Sequence, residues 1–280
     1  MNTNIPRFLY HAHAMGVSGR ITRPFEEVID VQAVSGLPPA GGYSSARKDS
    51  YRLREVFSHG GAHSEATGSY DPNKNAFETV VTSTVEGYNL CNVVLADSFT
   101  ARITSVHPAS NPDEPRITPQ GSMFEKLRIA GKDIVLESLV DDYDKLDSMS
   151  KLREHYKNDA SFREAFQRNT FLGREAELPE AKYRYFPWRR YQKTDELPEC
   201  RGMTVVPLFV VKNPSSPGFE VHGNVIHVQD FGRIHIGDLI ISAYERRVTM
   251  LHVDLGSPID GDVSAASVDG NGGTTDPTGP

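Results

Sequence analysis

Histidine is the residue type in this chain best suited to chemistry, and ten are present. His11 and His13 lie two apart in an alternating run, so in an extended strand both imidazoles face one way, as metal-binding pairs on β-sheets do. His59 with His63, and the group His222, His227 and His235, would supply further nitrogen donors. One expectation is therefore a mononuclear transition-metal site drawing on His11, His13, His59, His63, His227 and His235, should two of these groups meet in the fold. The usual metalloenzyme spacings do not accompany them: there is no HExxH, no His-x-His followed closely by Glu and His, and no dense acidic cluster. Isolated histidines more often act as partly buried hydrogen-bonding side chains, and the competing expectation is that no cofactor is bound.

Other catalytic patterns have less behind them. No GxSxG elbow occurs, and neither cysteine, Cys91 or Cys200, has a histidine near it in sequence. Two cysteines make neither a disulfide framework nor a metal knuckle. GxGxxG and GxxxxGK[ST] are absent, and the pairs Gly41-Gly42 and Gly60-Gly61 precede no amphipathic helix that could lend its N-terminus to a phosphate. They read as turn glycines.

One stretch departs from the acidic average of the chain. In Lys182 to Lys193, the basic residues Arg184, Arg189 and Arg190 interleave with Tyr183, Tyr185, Trp188 and Tyr191. Such aromatics and guanidinium groups can stack nucleic-acid bases, and they are also the residue types that concentrate at protein interfaces. Glu175, Glu177, Glu180, Asp195 and Glu196 flank the stretch and would oppose a polyanion, so a protein partner is the better reading. Packing of the insertion onto a sheet, with the basic groups reaching outward, is the plain alternative.

The elements that must position these residues are mostly strands. Gly223 to Leu255 reads as consecutive strands with almost no helical periodicity. Arg7 to Ala14 alternates with Phe8, Tyr10, Ala12 and Ala14 on one face, and Ile21 to Val34 resumes alternation after Pro24. Ala76 to His107, dense in Thr and Val, predicts two or three strands separated at Gly87 and Asp97. His59 to Asn75, rich in Gly, Ser and Asn, is expected to be a loop. Phe124 to Leu136 predicts a hairpin turning at Ala130 to Asp133. The period then changes to about 3.6: Leu139, Tyr143, Leu146, Met149, Leu152 and Tyr156 mark an amphipathic helix, and Asp159 is a good N-cap for a second. Gly256 to Pro280 is too poor in apolar residues to offset the entropy of ordering, and predicts a mobile tail.

These elements define a mainly β protein, an antiparallel β-sandwich or barrel-like domain with a helical insertion near 139–170 and a disordered C-terminal tail. The division expected is a discontinuous β domain (1–138 and 201–256), an insertion (139–200) and a tail (257–280). At 280 residues, 38% hydrophobic, 24% charged and net −7, the chain suits a globular protein with no global field to attract nucleic acid or an anionic membrane. No eighteen apolar residues run together and no secretory leader opens the chain, so a cytoplasmic location is expected, with an extracellular or assembled particle left open.

The succession TSTVEGYNLCNVVLADSFTARITSVHP, GSMFEKLRIAGKDI and FGRIHIGDLIISAYERRVTMLHVDLG resembles bacterial choice-of-anchor type surface domains and related uncharacterised bacterial proteins. The resemblance covers about a third of the chain. It implies a β-rich extracellular or assembly-associated module and transfers no catalytic residue. The functional expectation is a non-enzymatic structural or protein-binding module that self-associates. A metal-binding protein or metal-dependent enzyme is the alternative, and a carbohydrate-binding module using Trp188 and the tyrosines a further one.

Overall fold

The computed structural model describes residues 8–111, 114–163, 204–241, 246–256 and 258–274. The chain opens with the alternating strand β1 (Phe8–Arg23), followed by β2 (Glu27–Gln32), the short β3 (Ser35–Gly36), and three long strands β4 (Gly42–Leu53), β5 (Phe57–Asp71) and β6 (Ala76–Leu90). Then come β7 (Val94–Pro108), β8 (Arg116–Thr118), β9 (Met123–Glu125), β10 (Arg128–Ile129), β11 (Lys132–Asp133) and β12 (Leu136–Ser138). Two helices, α1 (Val140–Lys145) and α2 (Met149–Asn158), precede β13 (Thr204–Pro207), β14 (Phe209–Val211), β15 (Phe219–His222), β16 (Val225–Val228), β17 (Gly232–Ile241), β18 (Arg246–Leu255) and β19 (Asp260–Thr274).

Every described pairing is antiparallel. One sheet runs β15-β16-β17-β18-β19-β1-β2, with β13 beside β17 and β3 beside β1; the other runs β11-β10-β7-β6-β5-β4, with β8 and β9 beside β7. β1 and β19 lie across from β5, β6 and β7, which makes the layered sandwich expected from the alternation. Between the layers the core includes Val17, Ile21, Val81, Ile103, Val253 and Val263. An aromatic ladder, Phe57–Tyr88–Phe99–Phe124–Phe209, runs through it at centroid spacings of 5.5, 5.5, 5.5 and 5.3 Å.

The sheets approach closely where small side chains face each other. A Cβ added to Gly16 of β1 would stand 2.8 Å from the Ala62 Cβ of β5, and Ser83 Oγ of β6 donates to the Met15 carbonyl at 2.9 Å. This explains why His59 to Asn75 is not a loop. Most of it is the strand β5, whose inward positions Ala62, Ser64 and Ala66 are small because the facing sheet leaves no room for more. Only the end of the stretch turns.

Gly87 and Asp97 also play a part other than the one expected. β6 and β7 are single strands, and the turn between them lies at Cys91 and Asn92, with φ of 56° and 55°. At Gly87, with φ of 60°, the inward alternation changes parity, from Val81 and Val85 to Tyr88 and Leu90. β5 changes parity at Gly60 and Gly61, and β7 at Asp97, so the switch forms a row across the sheet. The facing sheet has its own row at Gly16, Ala266, Met250 and Gly237, where Ala266 and Gly237 have φ of 47° and 64°. A residue with positive φ turns the pleat over without ending the strand, a conformation glycine adopts at little cost.

The C-terminal tail is a further correction. Asp260–Thr274 is a strand of the nine-stranded sheet, between β1 and β18, with Val263, Ala265 and Val268 buried; residues 275–280 lie outside the described residues. Few apolar residues suffice there because both neighbours satisfy its backbone and its inward side chains face a close-packed layer.

The insertion leaves the sandwich where β12 pairs with β14, its two roots side by side. Its first helix is split: α1 ends at Leu146, Ser148 caps α2 by accepting the Lys151 N–H at 3.3 Å, and Tyr143, Leu152 and Tyr156 are buried as the period requires. Asp159 accepts the Phe162 N–H at 2.9 Å and opens the next helical turn, in keeping with its reading as a cap. The Ala130-Gly131 turn joins β10 and β11 with both φ positive, as a two-residue hairpin demands. Among the described residues no helix is long and apolar enough to cross a membrane.

Candidate functional site

On the outer surface of the nine-stranded sheet, β1 and β19 align His13 with Asp269, and β18 aligns Arg247 with Asp269 from the other side. His11, two residues from His13, reaches the same carboxylate. The Asp269 Oδ1 lies 3.7 Å from His11 Nε2 and 3.4 Å from His13 Nδ1, while its Oδ2 takes the Arg247 guanidinium at 3.4 Å. Asp269 is mostly buried, and its Oδ1 accepts no hydrogen bond; the imidazoles are more than half exposed and meet edge to face at 4.6 Å. One donor atom from each of the three groups lies within 4.8 Å of the others. Two imidazoles and a carboxylate at such spacing can share a proton or hold a transition-metal ion.

A second polar cluster lies beyond the parity switch on the same sheet. His235 of β17 stands opposite His252 of β18, which stands opposite Ser264 of β19. Asp254 joins the two rings, with Oδ1 3.1 Å from His252 Nε2 and Oδ2 3.6 Å from His235 Nε2. The other His252 nitrogen meets Ser264 Oγ at 2.8 Å, and Asn224 donates to Asp238 at 2.7 Å. Burial works to raise the Asp254 pKa, yet the hydrogen bonds from His235 and His252, with their charge, hold its carboxyl well below the ordinary range. Burial likewise works against the His252 imidazolium, but the hydrogen bond and charge of Asp254, reinforced by Asp238 and Asp262, leave its pKa raised.

The remaining predicted ligands are dispersed, and the six histidines do not converge. His59 is in the core, 2.6 Å from the Gln32 side chain, where burial and then Lys48 lower its pKa. His63 points out of the opposite sheet beside Glu65 at 3.2 Å, because the switch at Gly60-Gly61 puts the two histidines on different faces. His227 faces Glu220 at 3.9 Å, and His235 belongs to the Asp254 cluster. Cys91 is half-buried, and burial pushes its thiol up to about 11. Asp269 lies in the segment whose composition predicts a tail. The signal that could have found it is the alternation Val263, Ala265, then Ala266, Val268.

The sandwich is open along one side, where β2 and β4 end their respective sheets. β4 pairs only with β5 among the described strands and is exposed over most of its length. β2 exposes Val28 and Val31, with Val34 just beyond it. Arg54 joins the two edges, lying 3.7 Å from Glu27 and stacked 3.9 Å over Phe25. The interleaved residues Tyr183, Arg184, Tyr185, Trp188, Arg189, Arg190 and Tyr191 lie outside the described residues, as does Cys200.

Fold and surface together define an antiparallel β-sandwich with histidine-carboxylate clusters on one outer face and a strand edge that is unpaired among the described residues. Residues 8–242 match a domain family of unknown function, DUF8256, and the chain belongs to that family. No curated protein and no solved structure matches it.

Proposed function

We propose that this protein is a non-enzymatic structural module that associates with a second copy of itself through the open side of the sandwich. The observation that carries this reading is the β4 edge: twelve residues of extended backbone, paired with β5 on one side and, among the described residues, with no strand on the other. Such an edge is a template for strand addition unless something blunts it. Arg47, Lys48 and Arg52 would repel a second β4, whereas Glu27 and Asp30 on β2 offer opposite charge. A two-fold axis along the strands sets each β2 against the partner's β4 and joins each sheet to the other copy's opposite sheet. The contact is then self-complementary and closed. Val28, Val31 and Val34 supply apolar area beside it. The resemblance to assembly-associated surface domains points the same way.

Light scattering of tag-free protein from about 1 to 100 µM tests the proposal, and a dimer is expected in that range. Val28→Lys with Val31→Lys, both solvent-facing, should weaken the dimer about tenfold or more while leaving the melting temperature unchanged at a concentration low enough that both proteins are monomeric. A strict monomer at the highest concentration, or a dimer indifferent to these changes, overturns it. Should the dimer instead dissolve in Trp188→Ala, Arg189→Ala protein, the contact belongs to the Lys182 to Lys193 stretch.

A further inference from the structure

We propose that His11, His13 and Asp269 form a binding site for a divalent transition-metal ion, with Zn2+ the best-fitting one. The inference is independent of self-association, since it concerns the outer face and not the open side.

Three observations support it. First, the donor set is two imidazole nitrogens and one carboxylate oxygen, a combination suited to zinc and its neighbours and not to hard ions such as Mg2+, which take oxygen ligands. Second, the spacing is nearly right. Ligands bonded at about 2.0 to 2.1 Å in a tetrahedron stand roughly 3.3 to 3.4 Å apart. The Asp269 oxygen is 3.4 Å from one nitrogen and 3.7 Å from the other. The two nitrogens, within 4.8 Å of each other, close the remaining gap by small side-chain rotations, for which their exposure leaves room.

Third, the carboxylate is held in advance. Arg247 holds Oδ2, so Oδ1 is turned toward the histidines, buried and without a hydrogen bond. An oriented carboxylate oxygen without a donor is what a metal ligand supported by an outer partner should look like. On the far side of His13, the β3 backbone walls the ring: a Cβ added to Gly36 would lie 3.1 Å from its Cδ2. A fourth position faces solvent, so the ion would keep a water. The ion would clip β1 to β19.

The test uses full-length, tag-free protein stripped with chelator. Titration calorimetry with ZnCl2 should find about one equivalent bound, Co2+ should give the visible absorption of a distorted tetrahedral complex, and Zn2+ should raise the melting temperature, since a ligand of the native state alone stabilises it. In His11→Ala, His13→Ala protein the affinity should fall at least tenfold and the thermal shift should vanish. Both side chains are exposed, so that variant keeps its fold. Asp269→Asn should weaken binding similarly and lose the Co2+ absorption, provided its melting transition shows it folded. Absence of Zn2+ binding at about 100 µM, or binding and a thermal shift that persist without the two histidines, overturns the assignment.

Discussion

Asp254 is a residue on which two neighbours depend. Its carboxylate is lowered and His252 is raised, so the pair contributes stability with opposite limits. For Asp254 the contribution is present above the unfolded carboxylate value, about 3.9, and is lost as pH falls through the lower folded value. For His252 it is complete below the unfolded imidazole value, about 6.5, and is lost as pH rises through the higher folded value. Denaturant unfolding across pH 4 to 9 should therefore show stability falling on the alkaline side of about 6.5. Asp254→Asn should lose about 2 kcal/mol near pH 6, the worth of its charged hydrogen bonds, and should flatten that alkaline decline. An unchanged alkaline slope in the variant would locate the titration elsewhere.

Among elements, the helical insertion meets the sandwich at a buried cation, beside the Ile117 N–H that donates to the Asp147 carbonyl at 2.7 Å. Arg246, at the start of β18 and 3% exposed, donates to the Ile117 carbonyl of β8 and, at 2.8 Å, to the Leu146 carbonyl at the end of α1. Burial pulls its guanidinium down to about 10, with Asp147 and then Tyr143 acting against that fall. Arg246→Ala leaves two buried carbonyls without donors and should cost about 3 kcal/mol, with hydrogen-exchange protection lost first around Ile117 and through α1 and α2. Equal loss of protection in β6 and β7 would mean that the insertion is not separately anchored. Along the helices, Lys151 pairs with Asp147 at 2.9 Å in the favourable acid-first i,i+4 order, and Lys145 pairs with Asp142 at 3.5 Å. The break at Ser148 lets Arg246 reach the end of α1.

For the molecule as a whole, β19 decides integrity. It is flanked by β1 and β18 and faces β6 and β7, so its removal would expose the edges of two long strands and uncover Val263, Ala265 and Val268. A chain ended after Gly256 should therefore fail to give a cooperative melting transition, while one ended after Thr274 should melt like the full protein. A folded, cooperative product from the shorter chain would restore the tail reading. This strand also accounts for the gap in what could be read of the candidate metal site. His11 and His13 share a face because a two-residue period follows from backbone geometry, and that much is plain from their spacing. Asp269 joins them across 256 positions of chain, through a strand pairing to which no local pattern points.

Residue order alone settled what depends on near neighbours: alternation made β1, β7 and β16 to β18 recognisable, a change of period announced α1 and α2, and Asp159 marked a helical start. Tertiary contacts settled the rest. Which strands adjoin, why β5 and β19 can be strands with so few large apolar side chains, and where each strand turns its pleat over all depend on the layer facing them, which at Gly16 and Ala62 leaves room only for small side chains. That steric limit comes from residues far away in the chain, so His59 went to the core, His63 to the surface, and Asp269 to the histidines.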